Sequence, residues 1–197
     1  MRVFLPSQSS INLFQNFWDQ GKEALQFYVS EWNKIKYGFE VDGYKIHPWL
    51  YFHLNYFKTP IPQPDKTEPI MNPPLRRNEW YFCEIIKKAE ELDKGAIFIF
   101  GTRRFGKSVM EASYLYWKSL ISPNTQTSVT ISNDEDRISI TDKISTAMKN
   151  MHPAFRVHTN IENWEKMVEL GLKTNLNEKI KLCDVRVTNL DSGAKGA

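Results

Sequence analysis

The residues with the most chemical potential are Gly101-Thr102-Arg103-Arg104-Phe105-Gly106-Lys107-Ser108. They fit the pattern G-x-x-x-x-G-K-[ST], the spacing of a phosphate-binding loop. Glycines at 101 and 106 let the backbone turn sharply and approach a ligand with no Cβ in the way. Loop amides and the N-terminus of a following helix then converge on one point, where the helix dipole favours an anion. In that setting Lys107 would place its ammonium on the β- and γ-phosphates of ATP, and Ser108 its hydroxyl on Mg²⁺. The alternative is an ordinary strand–turn–helix connection carrying a chance lysine.

Such a loop needs a strand before it and a helix after it. Ala96–Phe100 is an apolar run of the right length for a strand buried on both faces. Val109–Trp117 has no Gly or Pro and an apolar face at helical spacing. Upstream, residues 75–93 predict a helix opening just after Pro74. Phe82, Ile85, Ile86, Ala89 and Leu92 form its apolar stripe, opposite Glu84, Lys87 and Glu91, and it is expected to pack on the sheet. Downstream, Pro123-Asn124 ends the loop helix and Thr127–Ser132 reads as a strand. Asn133 or Asp134 then caps a helix continued by Ile140, Ile144 and Met148, so Asp134, Glu135 and Asp136 read as first-turn acids rather than metal ligands. Asn160 is expected to cap an amphipathic helix, Ile161–Leu170, ended by Gly171. Ile180–Cys183 and Val185–Val187 alternate like strands, with Asp184 at a turn or bulge, and the polar, glycine-containing tail 190–197 reads as a loop.

The chain before residue 75 has a different texture. Residues 9–37 predict a helix, with Ile11, Leu13, Phe14, Trp18, Ala24, Leu25, Tyr28 and Trp32 at mostly three- and four-residue steps and Gly21 as a candidate break. Residues 38–57 are aromatic and broken, and Asp42-Gly43 signals a hairpin turn. That aromatic cluster could stack bases, but core packing is the favoured reading. His47 and His53 have no carboxylate or cysteine at ligand spacing and read as structural. Six prolines between residues 59 and 74 mark a loop or linker. The division is therefore an N-terminal helical and aromatic segment (1–58), a proline-rich linker (59–74) and a nucleotide-binding core (75–197).

The bulk properties set limits. A chain of 197 residues, 41% hydrophobic and 13% aromatic, can bury a sizeable core. A net charge of +3 is too small to argue nucleic-acid binding by itself. Cys83 and Cys183 stand far apart and form neither a disulfide framework nor a metal spacing, which suits a reducing compartment. The first residues do not read as a signal peptide, and no apolar run approaches the roughly 18 residues a membrane span needs.

The two arginines inside the loop narrow the reading. With Arg103 four residues before Lys107, the loop resembles that of the large terminase subunit of tailed bacteriophages, the ATPase that drives DNA into the capsid. The resemblance runs from about the aromatic segment to residue 197. It implies an α/β P-loop NTPase fold: a mostly parallel sheet flanked by helices, with ATP and Mg²⁺ at the carboxyl ends of the strands. It implies that Gly101, Thr102, Arg103, Arg104, Phe105, Gly106, Lys107 and Ser108 form the nucleotide site, with Lys107 and Arg103 catalytic and Ser108 on Mg²⁺. Arg103 would sense or stabilise the γ-phosphate. A solvated basic loop edge is the alternative for both arginines, and the stronger one for Arg104. By position only, Asn78 and Trp80 are candidates for an adenine contact, with core packing the alternative for Trp80.

The implied partners are double-stranded DNA, a portal protein, a small terminase subunit and further copies in a homo-oligomeric ring, with no membrane. The implied location is the cytoplasm of an infected host cell, during virion assembly. No apolar strand ending in Asp-Glu is found, so no Walker B pair, nor an acid cluster for a two-metal nuclease. The chain therefore reads as a fragment or a truncated gene product, with its general base and second metal-holding acid expected beyond residue 197. Such a chain is expected to bind nucleotide weakly and hydrolyse little. Two other readings remain: a helicase-like P-loop ATPase, and a non-catalytic nucleotide-binding assembly module.

Overall fold

The computed structural model describes residues 21–93, 106–122, 126–131, 134–152, 155, 158–160, 167–173 and 179–189. In chain order the elements are α1 (Gly21–Tyr37), β1 (Phe39–Val41), β2 (Tyr44–Ile46), α2 (Pro48–Asn55), β3 (Thr59–Pro60), β4 (Ile70–Met71) and α3 (Arg77–Glu91). Then come α4 (Lys107–Ile121), β5 (Gln126–Ile131), α5 (Asp134–Lys149), β6 (His158–Asn160), β7 (Met167–Lys173) and β8 (Lys179–Asn189). The strand expected over Ala96–Phe100 lies outside the described residues. No helix among the described residues is long and apolar enough to cross a membrane.

The turn expected at Asp42-Gly43 is present. Both residues have left-handed φ, 50° and 76°, as a two-residue hairpin turn requires, and β1 pairs antiparallel with β2 from Phe39↔Ile46 to Val41↔Tyr44. Gly38, at φ 76°, closes α1 by donating its N–H to Lys34 O at 3.0 Å. A Cβ on Gly38 would lie 2.2 Å from the carbonyl oxygen of Ile46. Gly38→Ala is therefore expected to cost more than the ~1–2 kcal/mol of left-handed strain alone, read as a shift in urea midpoint. An unshifted midpoint would contradict this tight turn.

The aromatic segment is core. α2 is buried at six consecutive positions, Trp49 to Leu54, so it is surrounded on nearly every side. One cluster joins Ile35 of α1, this helix, Phe82 and Ile86 of α3, Met110, Tyr116 and Trp117 of α4, and Ile140 and Ile144 of α5. The proline-rich stretch folds back on itself: β3 pairs antiparallel with β4, and Thr59 and Ile61 are buried. A buried carboxylate ties α1 to this core. Glu31 Oε2 accepts the hydroxyls of Tyr51 and Tyr56, each at 2.5 Å, and Oε1 accepts Lys34 Nζ at 2.5 Å. Such a group is tolerable only because its lone pairs are used.

α3 forms as expected, but its buried face is rotated from the expected stripe. The buried positions are Glu79, Phe82, Cys83 and Ile86, an i, i+3, i+4, i+7 set. Ile85 and Leu92 are exposed. Counting apolar residues alone misplaced the face, because a carboxylate opens it. That face meets α2 and α4: the Phe82 ring centroid lies 5.0 Å from Trp49 and 6.4 Å from Tyr114.

β5–β8 form one mixed sheet in the order β5-β8-β7-β6, with β5 parallel to β8 and the other pairs antiparallel. α4 and α5 pack on each other and on β5 and β8. Two expectations fail here. The helix expected over Ile161–Leu170 is not what Asn160 and Met167–Leu170 join: Asn160 lies in β6, opposite Glu169 of β7. Val168, Leu170 and Leu172 alternate, the strand period, and β-ladders on both sides of β7 outweigh the helical spacing of the apolar residues. Nor does the chain turn at Asp184. β8 is continuous, and Asp184 pairs with both Gln126 and Glu169. The bulge is at Leu182, where partners step from Leu170↔Cys183 to Gly171↔Lys181. Gly171, expected to end a helix, instead faces that bulge.

Candidate phosphate-binding site

The described part of the loop is its C-terminal end. Gly101, Thr102, Arg103, Arg104 and Phe105 lie outside the described residues; Gly106, Lys107 and Ser108 lie within them. Gly106 precedes α4 with φ 86° and ψ 8°, a left-handed conformation that only glycine adopts without cost. Its carbonyl accepts the first backbone bonds of the helix, from Val109 N–H at 3.1 Å and Met110 N–H at 3.2 Å. Lys107 and Ser108 are thus the first two helical residues, with Lys107 exposed and Ser108 half-buried. A glycine turn feeding directly into a helix, with a lysine and a hydroxyl in its first turn, can gather phosphate oxygens at the positive end of the helix.

Behind this turn, α4 is anchored by buried polar contacts. Ser113 Oγ accepts the indole N–H of Trp49 at 2.9 Å and donates to Met110 O at 3.2 Å. His53 Nδ1 stands 2.6 Å from the same oxygen. His53 Nε2, on the far side of the ring, is buried with no hydrogen-bond partner among the described residues. Burial pushes the pKa of His53 down to about 3. Further along, Trp117 Nε1 donates to Ile35 O at 2.8 Å.

The remaining sequence candidates fall into place around this anchor. His47 Nδ1 accepts the Trp49 N–H at 3.2 Å at the start of α2, so Nε2 carries its proton and donates to Glu90 Oε2 at 3.1 Å. The carboxylate partner absent at short spacing comes from 43 residues away. Burial holds the His47 pKa below its usual value, with Glu90 opposing. Burial also pushes the Cys83 thiol up to about 12, which keeps it protonated and unreactive. Trp80 stacks on Tyr44 of the hairpin, with centroids 5.2 Å apart and planes 30° apart. Tyr44 in turn donates to Glu84 at 2.8 Å. Asn78 is half-buried in the first turn of α3. α5 begins at Asp134, and Asn133 lies outside the described residues. Among the described residues no group of three His, Cys, Asp or Glu side chains could hold a metal ion.

One residue beside the loop was not singled out from sequence. Glu79 is 3% exposed. Its Oε2 accepts the Arg76 N–H at 3.0 Å, and its Oε1 lies 3.9 Å from where a Cβ on Gly106 would stand. The Glu79 carboxylate in the first turn of α3 therefore lies near the glycine that opens α4. A Glu three residues after the start of a helix is a signal for helix capping, not for a neighbouring loop.

Searches against protein-family models, curated proteins and solved structures give no match for this chain.

Proposed function

We propose that the chain binds ATP with Mg²⁺ through Gly101–Ser108, as part of an ATPase of the P-loop class. The observation that carries this reading is the left-handed Gly106 leading straight into α4, with Lys107 and Ser108 as its first residues in a complete G-x-x-x-x-G-K-S motif. The parallel β5–β8 pair, with α4 and α5 against it, is compatible with an α/β architecture around the loop. Amides at the start of α4 orient the phosphates, Lys107 balances charge between the β- and γ-positions, and Ser108 supplies a hydroxyl ligand to the metal. Mg²⁺, which the Ser108 hydroxyl would help to hold, would offset phosphate charge there. The finer reading is the motor of a viral DNA-packaging terminase, in which Arg103 contacts the γ-phosphate, double-stranded DNA is moved into the capsid, and portal and small-subunit contacts assemble a ring. It rests on the placement of Arg103 in the loop.

The test is calorimetric titration with ATP and Mg²⁺. Wild type is expected to saturate, and Lys107→Ala to lose about 10- to 100-fold in affinity, the size of one charge-assisted contact to phosphate. The melting temperature should stay unchanged, because Lys107 is exposed. Equal affinities for the two proteins would refute the site.

A further inference from the structure

We propose that the outer face of α3 is a contact surface for a second copy of this chain, with the two α3 helices packed antiparallel across a two-fold axis. This goes beyond the nucleotide reading and does not depend on it. α3 buries Glu79, Phe82, Cys83 and Ile86 on one side. On the other side Tyr81 is 49% exposed, Ile85 42%, and Leu92, just past the helix end, 52%. With Lys88 between them, these residues follow the alternating four- and three-residue spacing of a coiled-coil seam, so they lie in one line along the helix. Single exposed apolar residues are ordinary, whereas three in line mark a surface that another chain covers.

Charge selects the occupant and its direction. Arg77, Glu84 and Glu91 recur at heptad spacing along one flank of that seam. Arg77 is kept on the seam by Tyr81: its guanidinium lies 5.4 Å from the ring centroid, and its Nε donates to the hydroxyl at 3.1 Å. A two-fold antiparallel pair brings the same flank of both copies together in reverse order, with Glu84 near the axis. Arg77 of each copy then meets Glu91 of the other, and Tyr81 of each packs on Ile85 of the other. Lys88 falls opposite Asn78, and Leu92 opposite the exposed Pro74 that precedes α3. The two Glu84 carboxylates approach each other, but each is held by Tyr44, which donates to it at 2.8 Å, and by Lys87 at 3.5 Å. A parallel pair would instead set Lys88 beside Lys88 and leave Arg77 and Glu91 at opposite ends. Within one chain Arg77 and Glu91 are about 21 Å apart along the helix, so they cannot pair with each other. One pair of helix faces is smaller than the ~1,600 Å² of a standard interface, so the dimer is expected to be weak, with a Kd of about 10–100 μM.

The experiment is sedimentation equilibrium of the full chain, without nucleotide, at concentrations from about 1 to 500 μM. Wild type is expected to pass from monomer to dimer over this range. Ile85→Glu, at an exposed position, should leave the melting temperature unchanged and weaken association at least ~tenfold. Arg77→Glu and Glu91→Arg should each weaken it several-fold. The double variant R77E/E91R should recover it, because each swapped charge again meets its opposite on the second copy. A wild type that stays monomeric throughout overturns the proposal. So does a dimer or a larger ring that Ile85→Glu leaves intact, since another surface then makes the contact. A double variant no stronger than the single ones overturns the antiparallel pairing.

Discussion

Trp49→Ala is expected to destabilise the chain by about 3–5 kcal/mol, the range for removing a large aromatic from a closed core. Trp49 is fully buried, with ring contacts to His53, Phe82 and Tyr114 at 5.1, 5.0 and 6.4 Å. It therefore joins α2, α3 and α4 at one point. Truncation would leave a cavity there and strip Ser113 of its 2.9 Å donor. Against a total stability of roughly 5–15 kcal/mol, a loss of this size removes much of the margin. Trp49→Phe keeps most of the ring and loses only the hydrogen bond, and should cost about 1–2 kcal/mol. Urea unfolding of both variants checks this. Equal losses would mean that the bond to Ser113, not the packing, holds the junction.

Acid should unfold the chain through His53. In the fold its imidazole stays neutral down to about pH 3, whereas in the unfolded chain it takes up a proton near pH 6.5. Between those values the unfolded state holds the extra proton, so stability is full above pH 6.5 and falls as pH drops toward 3. The slope for one proton is ~1.4 kcal/mol per pH unit, or ~4 kcal/mol lost by pH 3.5. His47, also lowered by burial, adds to the loss in the upper part of this window. Unfolding free energies of wild type and His53→Gln at pH 7, 6, 5 and 4 isolate the contribution, and the wild-type slope should be steeper by about one proton. Parallel slopes would mean that His53 is not held neutral.

What the sequence made legible depended on how local each signal was. The hairpin at Asp42-Gly43 and the helices α3, α4 and α5 rest on neighbours within a few residues, and all four form. Signals that depend on partners far along the chain were read differently or passed over. Met167–Leu170 carries apolar residues that suit either period, and only the ladders to Asn160 and Cys183 decide for a strand. His47 showed no partner until Glu90 arrived from α3. For the candidate site, the motif marked Gly106, Lys107 and Ser108 because loop chemistry is written in consecutive residues. Glu79 could not be marked that way, since only the fold brings its carboxylate to 3.9 Å from where a Cβ on Gly106 would stand.

The continuous strand β8 has a consequence for how the chain assembles. Gln126 of β5 pairs with Asp184 of β8, a span of about sixty residues, and pairings of such high contact order form slowly because a long loop must close first. β7 and β5 both take β8 as their partner, so the sheet cannot be completed until the last described strand has left the ribosome. During synthesis α1 to α4 can already collapse around Trp49 and Trp117, while β5 waits with its pairing edge unfilled. A chain stopped before residue 179 would retain that edge, which makes it a candidate for strand-to-strand aggregation rather than a smaller version of the same fold.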